Sequence, residues 1–290
     1  ILIRRGAILP DKTDSVKYLS VKESVPEWLV NYIITNWGEK RAASILSSIN
    51  TPAKNSVRLS TLSDLKQTIA ELKKLNFAPQ NSKLSSNELI LSHGGVSATP
   101  PFKEGKLTIQ DEAASLVVDA FDFSGDENVL DACSAPGGKT AQIAEYLPHG
   151  QVTALDIHEK KLRLVRQNAN RMHIANRVVT KAMDARKVDQ YFSGEQFAKI
   201  LVDAPCSGLG LLRRKPEIRY TKSMKDLLNL QKIQLDILDH VSKILEENGE
   251  LIYSTCTFAV EEDEKVVEIF LKNHPKFELR PFKLAKIESK

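Results

Sequence analysis

From about residue 106 onward, short apolar runs ending in turns alternate with helical stretches, and this alternation limits the possible folds more than any other feature. Val129-Leu130 reads as a strand followed by a helix over 139–147. Gln151 to Leu155 reads as a second strand that ends at Asp156, with a helix over 160–171 behind it. Val178-Val179 is a weak third strand with Asp184 beyond it, and 199–202 is a fourth that ends at Asp203. A long helix over 227–245, a strand at Leu251-Ile252-Tyr253 and a helix over 262–271 follow. The pattern predicts the α/β class, a parallel sheet with helices on both faces. It also puts three stretches at carboxyl ends of strands: Asp131 to Thr140, Asp203 to Gly210, and Ser254-Thr255-Cys256. Open sheets of this kind bind ligands in the crevice at that edge.

Residues 1–105 read differently, as a smaller α+β domain. Pro26 to Val30 opens a helix in which Trp28, Leu29, Tyr32, Ile33 and Trp37 recur at helical spacing, with Gly38 as its stop. Ala42, Ile45, Leu46 and Ile49 continue a second helix, 57–60 forms a strand and 62–75 another helix. On such faces Trp28 and Trp37 are core residues rather than base-stacking platforms. The breaker-rich run Ser92 to Pro101 predicts a connector, so the division expected is 1–105 and 106–290.

The bulk numbers are those of a globular protein: 290 residues, 42% hydrophobic and 27% charged, with a net charge of +4 that is compatible with a polyanionic partner. Three widely spaced cysteines indicate neither a disulfide framework nor a metal cluster and fit a reduced, cytoplasmic setting. No apolar run of membrane-spanning length and no signal peptide is present. The chain opens on Ile1 rather than Met, which reads as a fragment of a longer protein.

Pro136-Gly137-Gly138-Lys139-Thr140 invites comparison with a triphosphate-binding loop, but the glycine that pattern requires is replaced by Cys133. No dinucleotide-type glycine fingerprint follows the first strand either. What remains is a strand, a glycine turn and a helix N-terminus, whose free N–H groups favour a carboxylate. Asp156, at the end of the next strand, is placed to accept from ribose hydroxyls, and Asp184 is placed to meet an adenine amino group. A ligand with an anionic end, a ribose and an adenine, and no required phosphate, is S-adenosylmethionine.

Cys133 reads as a small buried hydrophobe. Cys206 and Cys256 both follow strand ends on the expected ligand rim, and no histidine is placed to partner either. Two rim thiols beside a methyl donor suit a pyrimidine, whose C5 becomes nucleophilic only after something adds to C6. Arg213, Arg214, Lys215, Arg219 and Lys222 crowd the loop after Cys206, where clustered cations would neutralise the phosphates of a polyanion. Lys160, Lys161 and Arg163 read as the solvated face of one helix.

These stretches, together with Arg213 to Ile218, Tyr253 to Thr257, Glu261 to Glu264 and Gln110 to Ser115, resemble the RNA cytosine-5 methyltransferases over roughly 107–272. Arg4-Arg5-Gly6-Ala7-Ile8 and Pro26 to Val30 resemble the bacterial Sun/Fmu (RsmB) branch, which methylates 16S ribosomal RNA. The resemblance implies a Rossmann-like S-adenosylmethionine-dependent methyltransferase sheet. It also implies Cys256 as the nucleophile that adds to C6 and Cys206 as the group that assists release. Cofactor contacts carry over onto Cys133, Ser134, Ala135, Pro136, Gly137, Gly138, Lys139, Asp156, Asp184 and Asp203, with Asp203 also touching the target base. RNA contacts are expected at Arg213, Arg214 and Lys215, and no metal is expected. Relatives carry Arg-Val-Asn where this chain has Arg58-Leu59-Ser60; their upstream NusB-like helical domain and closing Gly-Phe-Phe strand have no counterpart in residues 1–290. A non-catalytic RNA-binding assembly factor and a small-molecule methyltransferase are the competing readings.

Overall fold

The computed structural model describes residues 9–284 and 287–288, so the opening Arg4-Arg5-Gly6-Ala7-Ile8 lies outside the described residues. The chain forms two compact units. One comprises the residues up to Ala53 with Cys206–Ile233 and Thr255–Glu268; the other comprises Lys54–Pro205, Gln234–Ser254 and the residues from Ile269. These units cut across the division at 105 expected above.

In the first unit, helices α1 (Ser15–Glu23), α2 (Glu27–Trp37) and α3 (Glu39–Ser48) follow one another closely. Asp14 caps α1 by accepting from Lys17 N, and Gly38, at φ +76°, supplies the backbone turn between α2 and α3. The apolar stripe of α2 is fully used: Leu29, Val30 and Ile33 are inaccessible, and each such side chain contributes roughly 1.5–3 kcal/mol of burial free energy. Trp28 and Trp37 pack on this core as expected, Trp37 standing edge-on to Tyr32 and Phe258. Leu209, Leu212, Leu227 and Ala259 complete the same core. The two cysteine-bearing segments are therefore held by the N-terminal helices through shared apolar packing, which is why the unit is discontinuous in sequence.

The second unit opens with β1 (Asn55–Leu59), α4 (Leu65–Lys74), β2 (Gln80–Asn81), β3 (Glu88–Leu91) and β4 (Leu107–Ile109). The four strands form an antiparallel sheet in the order β2-β3-β1-β4. Ser92 to Pro101 is no domain connector. Val96 is buried in the core of this sheet with Val57, Leu59 and Leu72, and Pro101 is buried too. Then come α5 (Glu112–Asp119), β5 (Asn128–Asp131), α6 (Gly138–Tyr146), β6 (Gln151–Asp156), α7 (Glu159–Arg171), β7 (Val178–Ala182), β8 (Phe197–Asp203), α8 (Met224–Ser242), β9 (Leu245–Ser254) and α9 (Glu264–Asn273). Helices α8 and α9 each begin in the first unit and end in the second.

Among the described residues β5 to β9 form a five-stranded, wholly parallel sheet in the order β7-β6-β5-β8-β9. It is the expected flanked α/β sheet. The strands run longer than the sequence reading, most of all β9, which has ten residues where three were read. Strand order reverses on either side of β5, so the ligand crevice of this topology falls at the carboxyl ends of β5 and its neighbours. A buried ion pair joins the two sheets' elements: Arg58 of β1 meets Glu145 of α6 at 2.9 Å, both side chains almost inaccessible. Arg58 is therefore a structural residue here. Among the described residues no helix is long and apolar enough to cross a membrane.

Candidate active site

The loop after β5 is tied down by its own polar groups. Ser134 donates both its backbone N and its Oγ to Leu155 O of β6, each at 2.8 Å, and Gly137 N closes a turn on Ser134 O at 2.7 Å. Gly137 then caps α6 at φ +102°. A Cβ there would lie 2.9 Å from Val165 Cα, so only glycine lets α7 approach so closely. Ala135 packs on Ala154, Leu162 and Val165, Pro136 is exposed, and Gly138 and Lys139 begin the helix. The N–H groups of that first turn have no side-chain cap.

Acidic side chains gather at the strand ends. Asp131 is fully buried and accepts from Thr140 Oγ1 at 2.6 Å. Desolvation pushes its carboxyl up to about 7, only partly opposed by that hydrogen bond. Asp203 is gripped at both oxygens, Oδ2 by Lys139 Nζ at 2.7 Å and Oδ1 by Ser254 Oγ at 2.9 Å. Asp156 is half-buried and accepts from His158 N at 2.8 Å. Asp184 caps a short turn and forms a two-point ion pair with Arg186, which holds its carboxyl below the usual range. Cys133 sits among these charges. Burial first, then Asp131, Asp203, Asp156 and Asp184, raises its thiol far above the ordinary range, so it stays protonated. Lys139 is turned onto Asp203, and Asp184 is paired with Arg186.

The first unit holds the thiol pair. Cys206 Sγ lies 3.2 Å from Cys256 Sγ and also accepts from Cys256 N at 3.3 Å. Gly210 N donates to Cys256 O at 3.0 Å, and Ser207 Oγ meets Thr257 Oγ1 at 2.9 Å, so the two loops are laced on either side of the sulfurs. Cys256 is exposed and Cys206 half-buried. The hydrogen bond to Cys256, then desolvation, raises the Cys206 thiol strongly. Such a thiol keeps its proton and can stabilise a neighbouring thiolate by donating to it.

Of the expected loop cations, Arg213, Arg214 and Lys215 are exposed. Arg219 is not available to a ligand. It is buried, and its guanidinium donates to Ser24 O at 2.9 Å and to Asn50 Oδ1 at 3.2 Å. Lys160, Lys161 and Arg163 are exposed on α7, as a solvated face should be.

The model of the 16S rRNA methyltransferase RsmB/F family matches residues 118–290. This chain belongs to that family. The probable ribosomal RNA small subunit methyltransferase B of Bacillus subtilis is 39% identical to it over 267 residues, 91% of this chain and 60% of that protein. The ribosomal RNA small subunit methyltransferase B of Vibrio cholerae is 40% identical over 180 residues, 62% of this chain and 41% of that protein. The chain thus spans less than two thirds of either relative. Among solved structures, a methyltransferase homolog from Pyrococcus horikoshii is 26% identical with a TM-score of 0.79, covering 90% of this chain and 83% of that one.

The cofactor of the RsmB/F methyltransferases is S-adenosylmethionine. The donor set of this member fits it: uncapped N–H groups at the start of α6 suit an anionic end, and the carboxylate of Asp156 ends the strand beside the loop. Sequence reasoning missed Ser254, which orients Asp203, and Asp131, whose burial makes it the strongly shifted acid of the loop. The serine stands inside a quoted motif, but only strand pairing of β8 with β9 brings it opposite Asp203.

Proposed function

We propose that this RsmB/F-family chain carries the catalytic part of an enzyme that methylates C5 of a cytosine in RNA, specifically in 16S ribosomal RNA. The single observation that carries the reading is the 3.2 Å contact between Cys206 and Cys256 on two separate strand-end loops. A structural thiol has no need of exposure, and Cys256 is exposed. In this mechanism the Cys256 thiolate adds to C6 of a cytosine extruded from its stack, which puts electron density on C5. Bound S-adenosylmethionine supplies an electrophilic methyl group for C5. Transfer of the C5 proton to solvent water then restores the C5–C6 double bond and expels the Cys256 sulfur as thiolate. Cys206, still protonated, donates a hydrogen bond to that departing sulfur. Asp203, fixed by Lys139 and Ser254, contacts the hydrogen-bonding edge of the base.

The cations Arg213, Arg214 and Lys215 neutralise RNA phosphates, and the 1–105 segment serves as the accessory RNA-binding part. The deciding experiment is bisulfite mapping of 16S RNA from cells with and without the intact gene. A cytosine protected only when the gene is present supports the reading. RNA that is bound yet never protected points instead to a non-catalytic assembly factor.

A further inference from the structure

Two carboxylates outside the residues assigned so far reach the cysteine loops. Thr255, immediately before Cys256, donates Oγ1 to Asp263 Oδ1 at 2.6 Å. The same oxygen accepts from Thr257 N at 3.2 Å, so it spans Cys256 on both sides. Thr257 Oγ1 meets Ser207 Oγ at 2.9 Å, and Ser207 N donates to Glu262 Oε2 at 2.8 Å. Glu262 and Asp263 are consecutive, so the path closes on itself. Cys256 lies within this ring and Cys206 directly precedes one of its members.

The turn that carries the two acids is itself anchored. Ala259 O accepts from Glu262 N at 2.8 Å and from Asp263 N at 3.0 Å. Tyr32 OH donates to Glu261 Oε2 at 2.5 Å and accepts from Val260 N at 2.8 Å. Both cysteines sit on irregular backbone after strand ends, where nothing in the sheet ladder dictates where a sulfur points. Covalent addition demands such dictation, because a misplacement of about 1 Å at a reacting atom can cost roughly 100-fold in rate.

We infer that Asp263 is a positioning residue for the methyl transfer: through Thr255 it holds the Cys256 sulfur in line with Cys206, with Glu262 fixing the Cys206 side of the same ring. This inference rests on the function proposed above and adds a residue to it. The protonation state of Asp263 bears on the ring. Desolvation pushes its carboxyl up to about 6, the Thr255 hydrogen bond opposes this, and Glu264 and Glu262 push further upward. Lys265, two residues further on, is committed to Glu261 at 2.9 Å. Ionised Asp263 accepts from Thr255; protonated, it loses part of that capacity, so the ring loosens as pH falls through about 6.

The test compares Asp263→Asn and Thr255→Val with Glu268→Gln, an exposed residue of α9, as control. With 16S RNA and methyl-labelled cofactor, the first two should lower kcat by about 10- to 100-fold with KM for both substrates within about twofold. The wild-type kcat should fall between about pH 7 and pH 5, and Asp263→Asn should abolish that fall. A second readout needs no methylation: phenylarsine oxide bridges two thiols held together, and its capture by the Cys206–Cys256 pair, followed by intact mass, should slow at least about fivefold in both variants. Unchanged kcat together with unchanged arsenical capture overturns the inference. So does lower activity accompanied by a matching fall in melting temperature and a retained acid limb. If the wild type methylates no RNA, the function above fails, while slowed arsenical capture still supports the ring and unaltered capture still overturns it. Should Asp263→Asn fail to fold, Thr255→Val removes the same hydrogen bond from its other end.

Discussion

Cys206 and Cys256 are fifty residues apart in sequence, yet their sulfurs lie 3.2 Å from each other and Cys206 also accepts the backbone N–H of Cys256. The pair is unequal. Cys256 is exposed, while the bond to Cys256 and burial keep Cys206 protonated. An exposed thiol beside a proton-holding partner is the arrangement on which the proposed addition and release of a base rest.

Removing each thiol should therefore have a different effect. Cys256→Ala should lower methyl transfer to RNA by at least about 1000-fold, because the addition step is lost. Cys206→Ala should leave addition possible but stall release, so a denaturant-resistant protein–RNA adduct should accumulate on a gel. Full turnover by Cys256→Ala rules out the covalent mechanism.

The same contact predicts a disulfide under oxidants. The sulfurs need to approach by only about 1.2 Å to reach bonding distance. Hydrogen peroxide converts the exposed Cys256 thiol to a sulfenic acid with loss of water. Cys206 then displaces a second water to form the S–S bond. Intact mass under non-reducing conditions should show the loss of two hydrogens, reversed by dithiothreitol, with Cys133 unmodified.

Arg213, Arg214 and Lys215 are exposed, whereas Arg219 spends its guanidinium on Ser24 and Asn50. Replacing the first three by Ala should weaken RNA binding and reduce the slope of log K against log salt by about 2. Arg219→Ala should instead destabilise the fold by about 1–3 kcal/mol, because the buried hydrogen bond to Glu23 O is lost with the bonds to Ser24 and Asn50. Filter binding across a salt series and urea denaturation separate the two.

Glu88 stands opposite Arg58 in the antiparallel sheet, and desolvation pushes its carboxyl from 4.5 up to about 7. A carboxyl whose pKa is raised by folding binds its proton more tightly in the folded state. Its contribution is thus most favourable at low pH and declines as pH rises from about 4.5 to about 7. At about 1.4 kcal/mol per unit, the decline is roughly 3 kcal/mol. Glu88→Gln should therefore stabilise the protein at pH 8 by up to about 3 kcal/mol and change little near pH 4.5. Urea titrations over that range check it; a variant destabilised equally at both ends refutes it.

Much of the catalytic sheet was legible in sequence because strand and helix periodicity are local properties. The runs ending at Asp131, Asp203 and Ser254 are β5, β8 and β9. Glycine 137 could be read as a turn before any helix was placed against it, since its backbone requirement is its own. The unit boundaries could not be read this way. The breakers between Ser92 and Pro101 look like a linker, but Val96 is drawn into the antiparallel core, and apolar burial overrides local punctuation.

Sequence by itself determined the α/β sheet, the glycine turn after β5 and the three motifs that bear the thiols and acids, for each depends on spacing within a few residues. Tertiary structure alone decided which side chains meet. Lys139 finds Asp203 across 64 positions, Arg219 finds carbonyls nearly 200 positions away, and Thr255 and Ser207 find adjacent carboxylates on one turn. A hydrogen bond depends on distance and angle in space, and those are fixed only when distant segments pack into a shared core.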